Sequence, residues 1–141
     1  MPANFNLTLD TTGPQNVQAS IDAGATYTTD RDVSLAITTD SPDAVMAKIW
    51  GDVDPAFNAD IQPLEANSTW VNLASPHAVR VSTGDSVKTL RCKLQDDVLN
   101  VSAEASDTIT LDTTAPTINV TSGPTPNKIS EQATKDTSSF D

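Results

Sequence analysis

Carboxylates are the reactive groups this chain has in number: nineteen Asp and Glu against eight Lys and Arg, with one His and one Cys in 141 residues. The chemistry such a set best supports is a calcium site, because calcium takes about six to eight hard oxygen ligands. Asp96, Asp97 and Asn100 crowd into five residues, and Asp10 and Asp112 occupy matching positions in two similar motifs. Asp52 and Asp54 open like a calcium loop, but the EF-hand pattern then breaks. Its sixth position is Phe57 rather than Gly, and its twelfth is Pro63 rather than Glu. Turn aspartates more often bond their own backbone, and that is the role expected of these. No metal site is predicted; calcium is the one candidate cofactor, at Asp96, Asp97 and Asn100 with Asp112 or Asp10 from the junctions.

Catalysis is not expected. Adjacent carboxylates such as Asp96 and Asp97 point to opposite sides of an extended chain and cannot share a substrate. Cys92 lies between Leu90 and Leu94 at period two, so it reads as a buried thiol, and His77 sits on a different segment. No glycine-rich phosphate loop and no serine-hydrolase elbow occurs. Among the aromatic residues, Trp50 ends an alternating run and is expected in the core, whereas Trp70 fits a core or a partner surface equally well. Phe5, Ile129 and Phe140 complete the candidate partner surface.

The acidic excess gives a formal net charge of −11. No basic surplus exists to displace counterions from phosphates, so neither nucleic acid nor an anionic membrane surface is an expected partner. No apolar run approaches the roughly 20 residues of a membrane helix. The opening Met-Pro-Ala-Asn-Phe-Asn carries neither a basic nor an apolar segment of a secretion signal, so assembly in a cytoplasm is expected. Asn6, Asn67, Asn100 and Asn119 each start an Asn-x-Ser/Thr triplet, which twenty Thr and thirteen Ser make common by chance.

Those Thr and Ser, against three Glu, favour strands and turns over helices. Apolar residues alternate at period two in Val17–Ile21, Val33–Ile37, Val45–Trp50, Leu90–Leu94 and Ile109–Leu111, and again at Ile118 and Val120. Turn chemistry separates them at Asp22-Ala23-Gly24, Thr39–Asp43 and Thr83-Gly84-Asp85. The stretch from Gly51 to Asn67, with Pro55 and Pro63, reads as a long irregular connection. Short strands with frequent turns predict an all-β, antiparallel sandwich.

A repeat divides the chain. Thr8-Leu9-Asp10-Thr11-Thr12-Gly13-Pro14 returns as Thr110-Leu111-Asp112-Thr113-Thr114-Ala115-Pro116, with six identities in seven positions at a spacing of 102 residues. That spacing is the size of one immunoglobulin-type sandwich. The predicted organisation is an N-terminal arm or leading strand at 1–12, a sandwich at 13–112, and a junction with a following unit or docking tail at 113–141.

With Thr110–Pro116, the run Gly84–Leu90 and the turn Asp96-Asp97-Val98-Leu99-Asn100-Val101-Ser102, the chain resembles the Ig-like repeats of tailed-bacteriophage virion proteins. It is also similar to the repeats of large bacterial surface proteins. Related bacterial repeats use junction aspartates to hold calcium. The family usually has Gly where this chain has Leu99, so Asn100 is expected to take the left-handed turn position. The resemblance implies an Ig-like spacer or adhesion module in a virion tail, baseplate, neck or capsid decoration. Its partners would be other virion structural proteins, copies of itself in a symmetric assembly, and a host-surface glycan. A bacterial adhesin repeat and a carbohydrate-binding module using Trp50 and Trp70 are the alternatives.

Overall fold

A computed structural model describes residues 6–119. The eight strands are β1 (Gln18–Ile21), β2 (Tyr27–Thr28), β3 (Asp32–Thr38), β4 (Ala44–Gly51), β5 (Val71–Asn72), β6 (His77–Arg80), β7 (Ser86–Asp96) and β8 (Ala105–Leu111). They form two sheets, ordered β1-β3-β6 and β2-β8-β7-β4-β5. The one regular helical piece among the described residues is a three-residue 3-10 turn at Glu65–Asn67; Asp22–Gly24 is a tight turn with non-helical backbone. No helix there is long and apolar enough to cross a membrane.

Period-two alternation gives each sheet an apolar inner face. Val33, Leu35 and Ile37 of β3, Ala47 and Ile49 of β4, Leu90, Cys92 and Leu94 of β7, and Ile109 and Leu111 of β8 meet in one core, joined by Ile21 and Val79. Burial raises the Cys92 thiol pKa to about 12, so it stays protonated and inert. The long strand β7 carries the register, pairing with β4 from Gly51↔Leu90 to Ala44↔Asp96 and with β8 from Ser86↔Leu111 to Cys92↔Ala105. A carboxylate ties the sheets together where Asp107 Oδ2 of β8 accepts the Ile21 N–H at 2.8 Å.

Four expectations need correction. The pairing is not wholly antiparallel, because β2 runs parallel to β8 with Tyr27↔Thr110 and Thr28↔Leu111 in register. The turn after β1 causes this: Asp22, Ala23 and Gly24 all take positive φ (46°, 56° and 86°), which redirects the chain from one sheet to the other. Trp50 is buried but lies outside the core, since it shares the outer face of β4 with Lys48, opposite Ala47 and Ile49. At the hairpin, Leu99 itself takes the left-handed position (φ 75°) rather than Asn100. Residues 112–119 belong to neither sheet and Ile118 is 91% exposed, so no strand starts there; Val120 lies outside the described residues.

Candidate functional site

The two motif copies lie at opposite ends of β7, and each forms a different attachment. In both, the aspartate bends the backbone into the same turn. Asp10 Oδ1 accepts the Thr12 N–H at 3.1 Å, and Asp112 Oδ1 accepts the Thr114 N–H at 3.2 Å. This Asx geometry comes from local sequence alone, which is why it appears twice.

At the trailing copy the chain leaves β8 and is clipped to the turn before β7. Asp112 N donates to Thr28 O at 2.9 Å. The Asp85 carboxylate then accepts the Thr113 N–H at 3.0 Å, the Thr113 hydroxyl at 2.6 Å and the Thr114 hydroxyl at 2.5 Å. These donors, the Thr113 hydroxyl first, hold the Asp85 pKa down to about 2.

At the leading copy the chain meets the β7–β8 hairpin. Asn100 Nδ2 donates to the Asp10 carbonyl at 2.9 Å and to Asp96 Oδ2 at 2.9 Å. Gly13 packs so tightly that a Cβ there would sit 2.2 Å from the Val101 carbonyl oxygen. Gln15 N donates to Ser41 Oγ at 2.8 Å, fixing the approach to β1. Carboxylate oxygens of Asp10, Asp43 and Asp96 converge here, all within 4.8 Å of one another. Asp96 is buried; burial raises its pKa, but N–H donors from Asn100, Val98 and Leu99 outweigh that and hold it below the usual range. For Asp43 the balance is reversed, because desolvation and the charges of Asp10 and Asp96 raise it. Three carboxylates supply about half the oxygens calcium takes, so an ion held here would need water to complete its shell.

Of the candidate calcium ligands, Asp10, Asp96 and Asn100 come together, and Asn100 contributes its amide N–H rather than its oxygen. Asp97 is exposed and outside the cluster, and Asp112 is at the far end of the sandwich. Asp43 was missed as a partner; its only signal was its place in the Thr39–Asp43 turn. Asp52 and Asp54 serve the fold. Asp52 Oδ2 accepts the Thr89 N–H at 2.9 Å, and Asp54 pairs with Arg31 at 2.9 Å.

Trp70 is half-buried just before the edge strand β5, with Lys48 Nζ 5.3 Å from its ring centre, and Lys93 Nζ stands 5.9 Å from that of Trp50. Beside Trp50 an open groove of about 360 Å³ runs between Pro63, Leu64, Glu65 and Arg91. Phe5, Ile129 and Phe140 lie outside the described residues. His77, buried, accepts the Ala74 N–H at Nε2, and desolvation lowers its pKa. Neither His77 nor Cys92 has the other as a hydrogen-bond partner. Comparison with known protein families, curated proteins and solved structures returned no match.

Proposed function

We propose that this chain is an immunoglobulin-like module of a tailed-phage virion, acting as a rigid spacer or binding unit in the tail, baseplate, neck or capsid decoration. The strand order supports the fold assignment. The first strand is split between sheets, with β1 antiparallel to β3 and β2 parallel to β8, while β4, β7 and β8 run side by side in the larger sheet. That division of the first strand suits a sandwich of immunoglobulin type. The observation that carries the spacer reading is the position of the two motif copies at opposite ends of the molecule, each hydrogen-bonded to its own end. A unit held this way at both ends transmits position along its length.

Its partners are other virion structural proteins and further copies of the chain, met through the short edge strands β2 and β5 and the loops. A host-surface glycan would have to displace the ammonium groups now over Trp50 and Trp70, so the carbohydrate-binding alternative draws little from these faces. Immunogold labelling of a lysate with antibody raised against the chain tests the reading. Label on intact tailed particles is the expected result; label confined to the bacterial envelope assigns the chain to a surface adhesin and overturns it.

A further inference from the structure

The leading arm carries two large apolar side chains that its own sandwich does not use. Leu7 is 88% exposed and Leu9 is 85% exposed. Six identities align this segment with the end of β8, matching Leu7 to Ile109 and Leu9 to Leu111, and those partners are each 1% exposed in the core. The same motif therefore ends a buried last strand at one end of the chain and lies outside both sheets at the other. Exposed apolar residues alternating along an extended chain are an edge seeking a sheet.

The hydrogen bonds of the two copies are complementary. The trailing copy is held through the N–H groups of Asp112 and Thr113 and the hydroxyls of Thr113 and Thr114. The leading copy is held through the carbonyl of Asp10, and its carboxylate faces Asp43 and Asp96. No group is claimed by both attachments, so one copy can make both sets at once.

We infer that Asn6–Asp10 is the last strand of a second sandwich of the same construction, one that lacks its own. In that acceptor the arm runs antiparallel to a β7-like strand and parallel to a β2-like strand. Leu7 and Leu9 enter its core, and Thr11 and Thr12 close on a carboxylate placed as Asp85 is here. Recognition is main-chain pairing with side-chain pockets at alternate positions, the chemistry of strand addition. One heptapeptide then belongs to two modules and fixes their relative direction. This rests on reading the chain as one module of a series, but not on where that series works, so particle labelling and the following experiment fail independently.

The test joins residues 1–107 of one copy directly to residues 6–141 of a second, so that the first unit keeps only Ala105–Asp107 of its last strand and the arm must supply the rest, Leu7 and Leu9 replacing Ile109 and Leu111. Both units should melt, with a calorimetric enthalpy about twice that of the single chain, since unfolding enthalpy scales with folded residues. The amides of Leu7 and Leu9 at the joint should exchange as slowly as those of Ile109 and Leu111 in the single chain. Leu7→Asp with Leu9→Asp at the joint should return the enthalpy to that of one unit. A control joining residues 1–119 to 6–141 gives the first unit its own strand, so a shortfall confined to the test fusion overturns the proposal. An unchanged enthalpy in the double Asp variant also overturns it. Sedimentation of the single chain covers the remaining occupant: a concentration-dependent dimer abolished by the same two substitutions would make the acceptor a second complete copy and overturn the assignment.

Discussion

The leading and trailing copies of the Thr-Leu-Asp-Thr-Thr motif differ in what surrounds them rather than in what they are. Both fold the same Asx turn, at 3.1 and 3.2 Å, because an aspartate two residues before a threonine N–H needs no help from the rest of the chain. Only the trailing copy is a strand, because only there do β7 and β2 offer hydrogen bonds on both sides. Turn chemistry is local, whereas strand identity is conferred by neighbours.

The comparison is sharpest at the paired leucines. Leu111→Ala should cost about 2–5 kcal/mol, the range for emptying a close-packed core site. Leu9→Ala should stay within about 0.5 kcal/mol, as for an exposed position. Urea denaturation of both variants checks this, and similar losses would erase the distinction. Next comes the motif's one mismatch. Gly13→Ala drives a Cβ against the Val101 carbonyl and should cost about 1–3 kcal/mol, whereas Ala115→Gly, on an exposed segment, should be nearly silent.

Smaller effects distinguish the ends by pH. Asp85 titrates at about 2 in the folded chain against 3.8 as its ordinary value. Its contribution is therefore complete above about pH 3.8 and is lost as the pH falls toward 2. Asp85→Asn should flatten that part of the acid-denaturation curve, and an unchanged acid limb would count against the clip. Asp43 has the opposite sign. Its folded pKa is raised, so its charge opposes folding at neutral pH and acidification relieves the opposition. In chelator, Asp43→Asn should raise the melting temperature slightly. A rise seen instead for the unmodified chain in millimolar calcium, lost in Asp43→Asn, would mean that the three carboxylates hold the ion.

Much of the fold was legible because burial imposes a period. The alternations at Val33–Ile37, Leu90–Leu94 and Ile109–Leu111 each mark a face that now lies in the core. At β4 both faces carried large apolar residues, and Trp50 was assigned inward because composition cannot reveal that the Pro63–Glu65 segment covers the outer side. Strand β6 was missed because its four residues pair His77 and Val79 inward against only Ala78 and Arg80 outward, too short a pattern to stand out. Leu99 in the left-handed region was unreadable because Asn100 looked the better candidate. The hairpin instead uses Asn100 to brace Asp96 and Asp10, which leaves the turn to its neighbour. At the candidate site the repeat was plain, but the meeting of Asp10, Asp43 and Asp96 depends on three separate segments and on no spacing within any of them.

The parallel pairing of β2 with β8 has a mechanical consequence. A tension applied between the two ends pulls β2 and β8 in opposite directions along their common axis. The bonds from Thr110 N to Thr26 O and from Asp112 N to Thr28 O, both 2.9 Å, are then loaded in shear and must fail together instead of unzipping one by one. Two residues of strand thus act as a latch against stretching, placed at the end of the sheet where the pull leaves through β8.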